Sequence, residues 1–180
     1  MEELSPFGCK LTQLQNLRNL LPYEGKDASE PTTVWVLQDD ANLYVAFRCK
    51  TPGRKPMVSL GGSEDGVTLY LDTFGNKTTA YKFWVGASGC HSDAMVLDDG
   101  RNTDRSWEGV WFYGVKVYPE AYEIEIKIPF KTIRYSWCAL ITSRRYLREV
   151  ISFGVIAYLT APDILTVSCI DLISCIMLSD

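Results

Sequence analysis

In three stretches of this chain, aromatic rings and hydrogen-bonding side chains share alternate positions with a second set that is mostly aliphatic. Leu43, Val45 and Phe47 alternate with Tyr44, Ala46 and Arg48; Val67, Leu69 and Leu71 with Thr68, Tyr70 and Asp72; Tyr81, Phe83 and Val85 with Lys82 and Trp84. A period of two puts each set on one face of a strand. The aliphatic set reads as core. The other set mixes rings with hydroxyl, amine and carboxylate groups, a composition that stacks on a sugar ring and hydrogen-bonds its hydroxyls. Trp84, Tyr70, Thr68, Lys82 and Tyr44 are therefore the candidate contacts. Packing beneath loops or a helix is the alternative for the same residues. Trp107 and Trp111 share a face by the same period and read mainly as core, with Trp111 the outside candidate.

Other chemistries have fewer parts to work with. Glycosidic bond hydrolysis needs two carboxyls held across the scissile bond. Asp65, Asp72, Asp93, Asp98, Asp99 and Asp104 are available, whereas Glu123 and Glu125, beside Lys127, read as a solvated sheet face. No pair stands out, and an enzyme is not expected. With His91 the only histidine, multi-imidazole zinc sites and most Ser-His-Asp or Cys-His arrangements are excluded. The stretch DAMVLDDGRNTD, Asp93 to Asp104, offers oxygen ligands for a structural calcium ion without the spacing of an EF-hand loop; an ordinary acidic loop is the alternative. No other cofactor is implied. The six cysteines form no CxxC pair, and Gly61-Gly62 and Gly75 lack any phosphate-loop context. Asn76-Lys77-Thr78 fits the glycosylation acceptor pattern and marks a surface turn.

The elements that must position these residues are mostly strands. Runs at Thr33 to Gln38, Asn42 to Cys49, Gly66 to Asp72, Ala80 to Gly86, Trp107 to Tyr118 and Ala121 to Ile128 carry strand patterns. Asp39-Asp40 and Pro119-Glu120 read as hairpin turns between their neighbours. Many short strands with little helix between them predict an all-β antiparallel sandwich, jelly-roll-like. Ahead of them, Leu11, Leu14, Leu17 and Leu21 recur at spacings of three and four and predict a short amphipathic helix ended by Pro22, with a strand or irregular segment still open. A polar linker, EGKDASEPTT, follows.

At 180 residues the chain is one domain, or one domain with a tail. Eighteen basic residues against 22 acidic, with no basic block, leave no footprint for a nucleic acid. After Arg148 come only Glu149, Asp163, Asp171 and Asp180 among charged residues, in the most apolar part of the sequence. Pro162-Asp163 and Asp171 interrupt that stretch, so a membrane-spanning helix is not expected. The opening MEELSPFGCK has no apolar core and does not read as a secretory signal.

The ordered strings TVWVLQDDANLYVAFRC, EDGVTLYLDTFGNKTTAYKFWVGASG and SWEGVWFYGVKVYPEAYEIEIKIPFKTIR resemble the family 9 carbohydrate-binding module superfamily. More closely, they resemble the sandwich module found at the N-terminus of a group of large secreted bacterial proteins. The resemblance runs from about Leu21 to about Tyr135. It implies a non-catalytic module that holds a polysaccharide or oligosaccharide for a linked catalytic or transport domain, in a secreted or cell-envelope protein. Where sugar-gripping members carry a tryptophan and an acid at the LYLD strand, this chain has Gly62 and Thr68; where they carry arginine and asparagine after the YKF strand's phenylalanine, it has Trp84 and Gly86. The organisation implied is an N-terminal segment and linker over 1–30, the sandwich over 31–136, and a divergent apolar tail over 137–180 that either completes the sandwich or departs from it. The other class of function open to the same pattern is a structural or docking sandwich of a larger protein with no sugar site.

Overall fold

A computed structural model describes residues 30–59, 64–74, 76 and 78–134, together with the backbone of residues 11–14, 154–161 and 164–171. The inward alternation of aliphatic residues builds two antiparallel sheets here. The first runs in the order β1 (Leu11–Leu14), β2 (Thr32–Gln38), β3 (Asn42–Lys50), β9 (Ala121–Pro129), β8 (Phe112–Tyr118). The second runs β11 (Ile164–Asp171), β10 (Gly154–Ala161), β4 (Gly66–Asp72), β5 (Ala80–Gly86), β6 (His91–Leu97), β7 (Asn102–Asp104). The sandwich expected from the sequence is the fold.

Val34, Val45, Phe47, Ile124, Ile126 and Ile128 from the first sheet meet Val67, Leu69, Leu71, Phe83 and Val85 from the second in one core. Each is at most 2% exposed. Burying a side chain of this size stabilises a fold by about 1.5–3 kcal/mol, so this interface dominates its energetics. Polar ties link the layers. The Tyr122 hydroxyl donates to the Gly66 carbonyl at 3.3 Å, and the Arg134 amide donates to the Tyr81 hydroxyl at 2.9 Å. Burial pushes the Cys49 thiol up to about 12 within this core.

Both expected hairpin turns are present. The Asp39 carboxylate accepts the Ala41 and Asn42 amides at 2.8 and 2.6 Å, fixing the β2–β3 turn. The β8–β9 register closes on Tyr118 opposite Ala121, around Pro119-Glu120.

Three expectations are corrected. Leu11–Leu14 is a strand rather than the start of a helix, paired along β2 from Leu11 opposite Leu37 to Leu14 opposite Val34. An open strand edge there supplies hydrogen bonds that a short isolated helix would have to find alone; Gln15 to Leu21 lie outside the described residues. The run from Trp107 becomes a strand only at Phe112, because the Gly109 amide and the Trp111 indole N–H both donate to Asp93 and turn this segment toward the second sheet. The acidic stretch Asp93 to Asp104 is not a simple loop. It forms most of β6, a turn in which Asp98, Asp99 and Gly100 all have positive φ (53°, 58° and 84°), and β7.

The apolar stretch near the C-terminus adds two backbone strands beyond β4: Gly154 lies opposite Asp72, Thr160 opposite Gly66, and β10 pairs in turn with β11. Among the described residues, no helix is long and apolar enough to cross a membrane.

Candidate functional site

The outward residues of β4, β5 and β6 form a small grid set by strand register. Thr68 stands opposite Trp84, which stands opposite Ser92; one row along, Tyr70 stands opposite Lys82, which stands opposite Ala94. Their neighbours Leu69, Leu71, Phe83 and Val85 are buried in the core, which fixes the grid on the outer face. Trp84, Tyr70 and Lys82 are half-buried, while Thr68 and Ala94 are covered at 4% exposure. Four of the residues singled out by sequence are thus brought together.

At one end of the grid Gly66 faces Gly86. A Cβ on Gly86 would stand 2.5 and 2.7 Å from the Glu64 carboxylate oxygens, and one on Gly66 would stand 3.3 Å from Trp84 Nε1. Only a glycine pair leaves the space that these two groups occupy. Glu64 is 7% exposed; its Oε2 accepts the Ser88 amide at 2.9 Å. Among the described residues, Glu64 Oε1 accepts no hydrogen bond and Trp84 Nε1 donates none. A donor over Gly66 and an acceptor over Gly86, the two paired glycines, are therefore unpaired with each other.

At the other end the Lys82 ammonium lies 6.0 Å from the centre of the Tyr70 ring, within reach of a cation–π contact. Its affinity for a proton is lowered, first by burial and then by Arg105. Arg105 comes one residue past Asp104, the last residue of β7 and the partner of Met95, close enough for its charge to act on Lys82.

Glu64 is a functional candidate that the strand pattern missed. It precedes β4 and carries no run of its own, yet it keeps the outward parity of Gly66, Thr68 and Tyr70, and that parity is the signal that could have found it.

The remaining two candidates lie elsewhere. Tyr44 is on the outer face of the first sheet, so the sandwich core separates it from Trp84; its hydroxyl donates to Asp39 at 2.8 Å and Lys127 lies 5.6 Å from its ring. Trp111 packs edge-on to Phe83 at 5.2 Å and donates its indole N–H to Asp93 at 3.1 Å, between facing edges of the sheets. Its ring meets His91 and Tyr113 at 5.5 Å each, and those two rings meet at 4.4 Å. Trp107 packs on Tyr81 and Phe83, consistent with its reading as core. Glu123 and Glu125 lie on the outer face of the first sheet, Glu123 paired loosely with Arg48 at 3.5 Å.

The acidic residues proposed as calcium ligands are engaged locally. Asp93 holds Gly109 and Trp111, Asp98 accepts from Asn102 at 3.1 Å, and Asp104 accepts from Ser106. Among the described residues, no group of three or more His, Cys, Asp or Glu side chains is arranged to hold a metal ion.

No protein-family model matches the chain, and no curated protein sequence is similar enough to match it. Solved structures are similar in fold. A family 9 carbohydrate-binding module from Caldicellulosiruptor kristjanssonii aligns over 87% of this chain and 71% of its own in the complex with cellotriose, at 13% identity and a TM-score of 0.51. The same module with glucose aligns over 87% and 72%, at 12% identity and 0.53. A Bacteroides uniformis protein provisionally classed as carbohydrate-binding aligns over 90% and 77%, at 11% identity and 0.54. At such low identity these likenesses establish a shared architecture: the chain has the fold of a carbohydrate-binding module.

Proposed function

We infer that this sandwich is a non-catalytic carbohydrate-binding module whose ligand lies on the outer face of β4–β6. The observation that carries this is the Trp84 indole N–H over Gly66 and Glu64 Oε1 over its partner Gly86, both without a hydrogen-bond partner among the described residues. A sugar ring presents an apolar C–H face to an indole and hydroxyls, each donor and acceptor, around its rim. Tyr70 and Lys82 extend the same surface. The neighbouring solved modules bound to cellotriose and glucose support this reading through their fold. In a longer protein such a module would hold a polysaccharide or oligosaccharide near a linked catalytic or transport domain, outside the cell or in its envelope.

The test is titration of intrinsic tryptophan fluorescence with soluble glycans, with and without calcium. A saturable change is expected that Trp84→Ala removes while the melting curve keeps its cooperativity. A second reading, a docking sandwich with no sugar site, is favoured by the β8 edge, where Val110, Phe112 and Val117 are 64%, 56% and 43% exposed. A flat titration from a cooperatively melting protein would select that reading.

A further inference from the structure

We propose that the ligand of this face is an acidic glycan, its carboxylate or sulfate held between Lys82 and Arg105. This rests on the sugar-binding reading above and names the class of sugar. Lys82 is half-buried, and among the described residues it has no carboxylate partner: its contacts are the Tyr70 ring and the nearby Arg105, another cation. An ammonium removed from water is ordinarily compensated by an anion. The acids around it are already engaged. Asp72, on the same face of β4, accepts the amides of Phe74 and Asn76; Asp104, beside Arg105, accepts from Ser106; Glu64 holds Ser88 at the far end of the grid. Ala94 leaves the space between the two cations free of a competing side chain.

The same geometry orients the sugar. Lys82 and Gly86 are four residues apart on β5, about 13 Å at strand rise. Positive charge lies at one end of that span, and the Glu64 acceptor with the Trp84 donor lies at the other. A uronate or sulfated residue would set its anionic group at the Lys82–Arg105 end, where the guanidinium can take it in two parallel hydrogen bonds, and direct its hydroxyls toward Glu64. A sugar turned the other way would bring its anion against Glu64.

Native affinity electrophoresis tests this directly, with polygalacturonate, a sulfated galactan, hydroxyethylcellulose and poly-L-glutamate cast in separate gels. The protein should be retarded by polygalacturonate or the sulfated galactan, the stronger of the two naming the anion. Neither poly-L-glutamate nor hydroxyethylcellulose should slow it comparably. Lys82→Gln and Arg105→Gln should each weaken retention about tenfold or more, as expected for one lost charge-assisted contact. Arg105 is exposed, so its variant keeps the fold, and Lys82→Arg should recover some of the loss. Retention on hydroxyethylcellulose alone, abolished by Trp84→Ala, would overturn the acidic ligand and leave the sugar site standing. Equal retention on poly-L-glutamate would overturn it in favour of a general anion patch. No retention on any of the four would overturn both readings.

Discussion

Arg54 is a residue whose loss should damage the site without any contact to the ligand. Its guanidinium holds two carboxylates at once: Asp65 at 2.7 and 3.1 Å through Nη1 and Nη2, and Glu30 at 2.7 and 2.9 Å through Nε and Nη2. These bonds raise its affinity for the proton beyond the ordinary range. Asp65 is fully buried, and among the described residues its carboxylate accepts, apart from Arg54, only the Met57 amide. Arg54→Ala would leave that charge buried with one hydrogen bond. Breaking a buried pair in this way costs about 3–5 kcal/mol; since the Arg54 side chain is 34% exposed and water can partly replace it, the low end applies, about 3 kcal/mol. For a chain of this size that is a fall in Tm of about 6–12 °C. Arg54→Lys, which keeps the charge and loses the fork, should fall between the two. Circular dichroism melts of the parent, Arg54→Ala, Asp65→Asn and the double variant would close the cycle. The double variant should be more stable than the summed single losses predict, because the neutral amide that replaces the Asp65 carboxylate needs no counter-charge. A Tm for Arg54→Ala within about 2 °C of the parent, a third of the smallest expected fall, or strictly additive losses, would refute the reasoning. Because Asp65 adjoins Glu64, Arg54→Ala should also weaken glycan retention without touching the ligand.

Two further outcomes follow from the glycine pair and the β2–β3 turn. A Cβ on Gly66 meets backbone, the Val85 carbonyl at 2.7 Å and Gly86 Cα at 3.1 Å, so Gly66→Ala must push β4 and β5 away from each other and should cost about 1–3 kcal/mol. On Gly86 the obstacle is the flexible end of Glu64, which can swing away; Gly86→Ala should lose the Ser88 bond, about 1 kcal/mol, and with it most glycan binding. Urea unfolding beside affinity electrophoresis checks this ranking, and equal stability losses would contradict it. At the turn, the Ala41 amide, the Tyr44 hydroxyl and Asn42 together lower Asp39 to about 2. A folded value below the ordinary one means stability is present above about pH 4 and is lost as pH falls toward 2. Asp39→Asn should flatten that portion of the urea-midpoint profile, and parallel profiles for variant and parent would count against the turn's contribution.

Much of the sandwich was legible because β2, β3, β5 and β9 each bury one face and leave the other at least half-open, as β4 does from Leu69 onward, which writes a period of two into the sequence. β6 and β7 carried no such signal. They form an edge of the second sheet: β7 is exposed throughout, and β6 opens on exposed His91 and Ser92 and sets Asp93, opposite Phe83, where an aliphatic residue would continue the alternation. The site was only partly legible for the same reason. Alternation puts Thr68 with Tyr70, and Lys82 with Trp84, on outward faces, but it does not say which sheet a strand joins. That is why Tyr44, equally outward, belongs to the opposite layer. Glu64 and Arg105 lie just outside β4 and β7, where no local period marks them.

The pairing of β3 with β9 in the middle of the first sheet sets the order in which this protein can be assembled. The β2–β3 hairpin, the β4–β7 meander and the β8–β9 hairpin each join neighbours along the chain and can form as they are synthesised. The first sheet cannot close until residues 121–129 arrive to lie against residues 42–50, with the whole meander already made between them. Contacts so distant in sequence make folding slow, on the order of milliseconds to seconds. Until that moment β3 stands with one open edge, and the aliphatic row from Leu43 to Phe47 waits for Ile124, Ile126 and Ile128. A nascent or truncated chain that stops short of β9 would therefore present a sticky half-sandwich, a substrate for chaperones rather than for sugars.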